Sequence, residues 1–331
     1  MREYAHSSEN AMKTVWLSLT HENNRAAYRI LSSILCTAIL LFLTGCGIGR
    51  KQSPEGWELT QYSDLTGNNA MCYSLIDRST GDLILIDGGW VENAEQVRDI
   101  IDSNGGKVKA WILTHYHGDH AGAFTALYEE YQDRIETIYA TPLEWEDFNE
   151  AAKYWDTPEV FEAFLKLTAG KENVIYLNRG DEFDIGRFHF KNYNTYDEHV
   201  KEVGDIPNNC SLVLKITADD VSMLLCGDVH NDALSQYLIQ QYGEELKADI
   251  VQPGHHGNNS VSPDFYAFLE PKIMLFDAPE WLMTGEEYKT KDLKLWCDEN
   301  GVEVYDYTTA PNVFLYSEGA LSITTEKDRA A

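Results

Sequence analysis

From residue 57 onward the chain is a succession of short apolar runs separated by polar, glycine-bearing turns. Runs at 57–63, 70–77 and 82–86 predict strands, with Ser79-Thr80-Gly81 turning between the last two. Residues 92–104 predict a helix that stops at Gly105-Gly106. A strand over 109–114 follows, then a helix over 121–132 with Phe124, Leu127 and Tyr131 at helical spacing. Further strands are predicted at 173–177, 183–194, 211–217, 221–226, 249–252 and 272–276, a helix at 231–243, and a strand pair near 312–324. Strands come first, then strands mixed with helices, in two similar halves. That order suits two sheets packed together with helices outside, an α/β architecture.

Residues 143–169 break the pattern. They read as helical and carry Trp145, Phe148, Tyr154, Trp155, Phe161 and Phe164 among Glu144, Glu146, Asp147, Glu150, Asp156, Glu159 and Glu162. One reading is a covering helix pair whose aromatics are core. The other is a lid, with Trp145 and Trp155 offering ring faces beside carboxylates, the surroundings that a quaternary ammonium group prefers.

The amino terminus differs in kind. Lys13, Arg25 and Arg29 precede an apolar stretch over 31–43, which runs into Leu43-Thr44-Gly45-Cys46. Small residues just before a cysteine resemble the bacterial lipoprotein processing site, with Cys46 lipidated after cleavage. The alternative is an uncleaved anchor over Ile30 to Gly49, about long enough to span a bilayer. Both place the following domain outside the cytoplasm, because the basic residues stay inside. The expected organisation is therefore a signal peptide (1–45), a tether (46–56) and one catalytic domain (57–325) with a helical insert near 143–169.

Length and charge narrow the reading further. The chain has 331 residues, room for one large α/β domain or two small ones. Its 26 basic and 54 acidic residues give a net charge of −28. Losing Arg2, Lys13, Arg25 and Arg29 with Glu3, Glu9 and Glu22 would leave the remainder one charge more negative. Such a surface repels phosphate backbones, disfavours nucleic acid and suits cationic or zwitterionic substrates. The cysteines do not form a disulfide scaffold. A hairpin turning at Ala218-Asp219-Asp220 would bring Cys210 near Cys226, with buried thiols as the blander expectation.

The chemistry is concentrated at residues 114–122, Thr-His-Tyr-His-Gly-Asp-His-Ala-Gly. His115, His117, Asp119 and His120 are four metal-capable side chains within six residues. A strand cannot aim all four at one point, because its side chains alternate faces. A tight turn bearing Gly118 and Gly122 can.

This segment resembles the metallo-β-lactamase superfamily signature T-H-x-H-x-D-H-x-G and matches it without substitution. Leu83-Ile84-Leu85-Ile86-Asp87-Gly88-Gly89 is similar to an early strand and turn of that fold, and Leu224-Leu225-Cys226-Gly227-Asp228 to a later ligand-bearing strand end. Residues 248–257, ending Pro-Gly-His-His-Gly, resemble the histidine turn of the branch that includes the competence-protein hydrolase domain and the teichoic-acid phosphorylcholine esterases. The resemblance covers roughly residues 56–325 and implies an αββα four-layer sandwich. It implies two divalent metal ions, with zinc expected and manganese or iron as alternatives. His115 and His117 would hold the first, Asp119, His120 and His256 the second, and Asp228 would bridge them. Asp119 and His255 would be the catalytic residues, His255 as a donor to the substrate or leaving group. Asp87 would orient a ligand from behind.

One departure stands out. Many members carry another histidine for the first metal where this chain reads Pro207-Asn208-Asn209-Cys210-Ser211. The competence-like and esterase-like branch also tends to lack it. Water or Asn208 is expected to fill the gap, with His199 as a further candidate. The β-lactam-degrading branch typically has cysteine where Asp228 stands, and Cys226 is two residues early. Phosphoester or ester hydrolysis therefore suits the ligand set better than antibiotic hydrolysis. The expected function is a lipid-anchored, extracytoplasmic dinuclear-metal phosphodiesterase or phosphoesterase acting on a cell-envelope or choline-like substrate. A surface-anchored binding lipoprotein without turnover, or a competence-type nuclease, are the alternatives.

Overall fold

The computed structural model describes residues 55–329. The expected signal peptide, Cys46 and nearly all of the tether lie outside the described residues. The strands are β1 (Trp57–Gln61), β2 (Cys72–Asp77), β3 (Asp82–Asp87), β4 (Val108–Ile112), β5 (Ile135–Ala140), β6 (Val174–Tyr176), β7 (Glu182–Ile185), β8 (Phe188–Asn192), β9 (Leu214–Ala218), β10 (Val221–Leu225), β11 (Ile250–Gln252), β12 (Ile273–Leu275), β13 (Glu303–Tyr305), β14 (Asn312–Ser317) and β15 (Ala320–Thr324). They form an eight-stranded sheet in the order β15-β14-β1-β2-β3-β4-β5-β6 and a seven-stranded sheet in the order β13-β12-β11-β10-β9-β8-β7.

Strand alternation builds the layers. Ile84, Ile86, Ala110 and Ile112 of the first sheet meet Leu214, Ile216, Met223 and Leu225 of the second in one core between the sheets. Their neighbours Leu83, Leu85, Trp111 and Leu224 face the other way, into a core roofed by helices. Because both faces are covered, these strands read as unbroken apolar runs rather than alternating ones. Helices Ala94–Ser103, Gly118–Tyr131 and Pro158–Thr168 contribute Val97, Ile101, Phe124, Leu127 and Phe161 to that outer core, and helices Asp232–Tyr242 and Pro263–Leu269 contribute Leu238 and Phe265. The result is an αββα sandwich of four layers.

The fold differs from the sequence pattern at several places. The single strand expected over 183–194 is a hairpin of β7 and β8, turning at Gly186 with φ 58°. A two-residue turn inside an apolar run leaves little trace in hydropathy. β5 was not expected at all, because Glu136 and the partly exposed Thr137 and Tyr139 make an interior strand look polar. The helix expected over 121–132 begins at Gly118, so the metal-capable motif reaches into its first turn. The segment 143–169 is two helices, Trp145–Ala151 and Pro158–Thr168, joined by a loop. Cys72, Cys210, Cys226 and Cys297 are buried free thiols.

Two glycines permit the close approaches on which the site depends. A Cβ at Gly122 would lie 2.6 Å from the backbone nitrogen of Val91, so glycine lets helix Gly118–Tyr131 seat on the Trp90–Val91 backbone. A Cβ at Gly254 would lie 1.9 Å from the carbonyl oxygen of Val229, which brings the loops after β10 and β11 together. Gly254→Ala is expected to cost about 1–3 kcal/mol by overpacking. A urea melt with an unchanged midpoint would contradict that close approach.

Candidate metal centre

β3 runs parallel to β4, and β10 parallel to β11. Their carboxyl ends therefore open at one rim of the sandwich, the usual place for a ligand in such sheets. Asp87 ends β3, residues 114–117 follow β4, Asp228 follows β10 and His256 follows β11. His117 caps helix Gly118–Tyr131, and Asp119 and His120 ride its first turn. A glycine-bearing loop does not gather all four alone; the helix start supplies half of the convergence.

Two groups of side chains converge there. The ligand atoms of Asp119, His120, Asp228 and His256 lie within 4.8 Å of one another, as do those of His115, His117 and Asp228. Asp228 belongs to both. His120 Nε2 is 3.1 Å from Asp228 Oδ1, His115 Nε2 is 3.8 Å from Asp228 Oδ2, and His256 Nε2 is 3.6 Å from Asp228 Oδ2 and 3.1 Å from Asp119 Oδ2. All of these residues are buried.

Hydrogen bonds behind the groups set which ring nitrogen faces inward. Asp87 accepts from the backbone N–H of Thr114 at 2.8 Å, from Thr114 Oγ1 at 2.7 Å and from His120 Nδ1 at 2.7 Å. The Thr114 hydroxyl has spent its proton on Asp87, so it accepts from His115 Nδ1 at 3.2 Å. Both rings then turn Nε2 toward Asp228. Asp87 itself sits at φ 53°, a left-handed conformation held by these bonds. Asn69 Nδ2 donates to Asp119 Oδ2 at 2.8 Å. The Asp228 backbone N–H donates to Ser211 Oγ at 3.0 Å, and that hydroxyl donates to the Asn208 carbonyl at 2.7 Å. Asn208 thus steadies the Asp228 loop through Ser211.

The donor set fits a divalent cation. His115 Nε2, His117 Nε2, His120 Nε2 and Asp228 Oδ1 are buried without a hydrogen-bond partner. Each such orphan costs about 1–3 kcal/mol, so several at one point are tolerable only around a positive ion. Burial pulls His115 well below the usual imidazole range, helped by His120. Burial also opposes charge on His120 and His256, but Asp228 and its neighbouring carboxylates outweigh it and raise both. The clustered imidazoles likewise overcome burial at Asp228 and hold its carboxylate well below the usual range.

The remaining expected residues divide. His255 donates its Nδ1 proton to the Asn258 carbonyl at 2.5 Å, and burial lowers its pKa. Its free Nε2 is then a proton acceptor, whereas a donor had been expected. His230 packs beside it with ring centroids 5.1 Å apart and lies 3.3 Å from Asp205. His199 lies against Tyr237, ring centroids 4.0 Å apart, and joins neither group. Trp145 packs at 5.9 Å from the Phe161 ring and 6.3 Å from the Phe148 ring, at the edge of the helical core. It is partly buried there. Trp155 is 55% exposed and its neighbour Tyr154 is 94% exposed.

Three residues escaped the sequence reading. Thr114 opens the recognised motif and was legible there. Asp277 was not: it is buried, accepts from Gln61 and Tyr73, and burial pushes its carboxyl up to about 6. Asp156, one acid among many in the insert, lies 3.3 Å from His117 Nε2.

A family model described as the metallo-beta-lactamase superfamily matches residues 68–262, more than half of the chain. No curated protein matches it. Among solved structures, the metallo-beta-lactamase fold protein YhfI from Bacillus subtilis is 14% identical, with 78% of this chain and 99% of that one covered and a TM-score of 0.50. CmlA, a diiron beta-hydroxylase from Streptomyces venezuelae, is 12% identical over 80% of this chain and 54% of its own length, with a TM-score of 0.49. At such identities the likeness is one of fold.

Asp228→Ala removes the carboxylate that both groups share. Transition-metal content by elemental analysis is expected to fall by at least half, with the circular dichroism spectrum retained. Protein purified without chelator that carries no transition metal would contradict the reading of these groups as a metal centre.

Proposed function

Because this chain belongs to the metallo-β-lactamase superfamily and is a metal-dependent hydrolase, we propose that it is an extracytoplasmic phosphodiesterase or phosphoesterase. Its substrate would be a cell-envelope or choline-like molecule, and it would belong to the branch of the competence-protein hydrolases and phosphorylcholine esterases. The observation that carries this reading is the pair of ligand groups sharing Asp228, with the exposed Tyr154 and Trp155 just before Asp156, which reaches His117. Two divalent ions, zinc first and manganese or iron as alternatives, would acidify a water toward neutral pH and polarise a phosphoester oxygen.

The chain's own residues supply the rest. Asp87 and Thr114 lock the tautomers of His120 and His115, so that the free nitrogens point inward. Asp119 would serve as a ligand and, held by Asn69, would orient the attacking water. His255 offers a free Nε2 at the rim, suited to take the proton released on attack and return it to the leaving oxygen. Cation recognition would fall to Trp155 and Tyr154. Lys153 Nζ already lies 5.3 Å from the centre of the Trp155 ring, so that face accepts a positive group. The net charge of −28 favours such a substrate and disfavours nucleic acid.

Trp155→Ala is expected to raise KM for p-nitrophenyl phosphorylcholine by roughly 2- to 30-fold, the worth of a cation–π contact of about 0.5–2 kcal/mol. KM for bis-p-nitrophenyl phosphate should change little. Equal effects on both substrates would leave Trp155 without a role in cation recognition.

Lipidation at Cys46 would hold the domain at the outer face of the membrane. Cys46→Ser should leave an unprocessed precursor, visible as a larger band that takes up no labelled fatty acid. Normal processing of this variant would rule the anchor out.

A further inference from the structure

Beside the His255–His256 turn the surface opens into a groove of about 490 Å³. That size is usual for a ligand pocket, roughly 300–1,000 Å³. His230 and Gly257 both line it, the first packed beside His255, the second directly after His256 of the ligand groups. Asn258 joins groove and turn. Its carbonyl accepts the Nδ1 proton of His255 at 2.5 Å, and its side-chain oxygen accepts from the backbone N–H of Lys289, itself a lining residue, at 3.3 Å.

The lining offers two kinds of surface. Val261 and Leu293 are almost fully buried yet reach the groove, and give it an apolar base. Asn259, Ser262 and Lys289 add an amide, a hydroxyl and an ammonium group. The Ser262 hydroxyl is not spent on the fold. Ser262 precedes helix Pro263–Leu269 but makes no side-chain cap bond, although serine at that position ordinarily caps with its oxygen. Its backbone N–H is held instead, donating to Asp232 Oδ1 at 2.6 Å. Lys289 Nζ lies 3.4 Å from Asp292 Oδ2, so the ammonium is offset by a carboxylate. An acyl chain would leave these polar groups without partners. An anion would be repelled by Asp232 and Asp292, which also line the groove. A neutral ring with several hydroxyls satisfies the base and the polar groups together.

The position of the groove decides which part of a substrate it takes. His255, which returns the proton to the leaving oxygen, stands on the leaving arm's side, and its neighbour His230 makes that the side of the groove. Trp155 belongs to the other side, because Asp156 next to it reaches His117. We infer that the groove receives the leaving arm of the phosphodiester, and that this arm is a neutral, hydroxyl-rich group of the sugar or polyol class. The inference rests on the phosphodiesterase reading proposed above. In the reaction, water adds its hydroxyl to phosphorus, the bond from phosphorus to the arm's oxygen breaks, and the water's other proton passes through His255 to that oxygen.

The test compares two phosphorylcholine esters, with release followed by phosphorus NMR on the metal-loaded full chain in detergent. One is the ester of the primary hydroxyl of methyl glucoside. The other is that of cyclohexylmethanol, which keeps the ring size and loses the hydroxyls. The wild type should favour the glucoside in kcat/KM by roughly tenfold, the worth of one or two hydrogen bonds. Ser262→Ala and Asn259→Ala should each cut that ratio by roughly threefold or more. Ser262→Thr, which keeps the hydroxyl, should retain it. Equal kcat/KM on the two esters, or a wild-type ratio in both alanine variants, would overturn the inference and leave the phosphodiesterase reading standing. Cleavage of bis-p-nitrophenyl phosphate with neither ester cleaved would do the same. No hydrolysis of any of the three would overturn the phosphodiesterase reading itself, and this inference with it.

Discussion

Burying lone pairs is costly, and this fold buries many at one point. His115, His117 and His120 each turn an unpartnered Nε2 toward the same rim, and Asp228 turns an unpartnered oxygen back at them. A bound cation would satisfy that arrangement. The surrounding structure holds the lone pairs in place. Asp87 accepts three hydrogen bonds and thereby orients His120 directly and His115 through Thr114. Ser211 holds the backbone of Asp228. Gly254 brings the His256 loop against the Asp228 loop.

The two sheets make this convergence possible. Asp87 and the histidine motif come from one sheet, Asp228 and His256 from the other. The core between the sheets sets their separation, and a backbone bond from Leu212 N–H to the Thr114 carbonyl, 2.9 Å, ties the two sheets at the rim. Side chains far from any chemistry therefore set ligand distances. Met223 and Leu225 face the inter-sheet core immediately before Asp228, and Ile112 does so just before Thr114. A cavity there would shift the ligands as well as weaken the fold.

The helical insert has two faces with different work. Phe148, Phe161 and Phe164 are fully buried; Phe161 and Phe164 pack against Tyr116 of the motif, and Phe148 packs against Phe161. Tyr154 and Trp155 point outward, and Asp156, next in sequence, points in. Adjacent residues in a loop can serve solvent and site at once, which helices on either side could not do with a fixed face.

The sandwich and most of the ligand groups were legible in the sequence because they rest on local signals. Unbroken apolar runs mark strands covered on both faces, and four metal-capable side chains within six residues have little other reason to be together. Strand ends marked by Gly227-Asp228 and Gly254-His255-His256 were readable for the same reason. What the sequence could not determine were relations across the fold. The hairpin at Gly186 disappears inside one apolar run, and β5 hides because an interior strand can carry polar residues at its exposed edges. Trp145 and Trp155 look alike in sequence, yet one is packed and the other exposed. Asp156 is one of many acids in its segment, and only the docking of Thr157 on Gly118 brings it to His117. The sequence by itself determined which residues can hold a metal, because that is a property of side-chain chemistry and spacing. The tertiary structure alone decided which distant acid reaches the site, because that depends on how a separate helix pair packs.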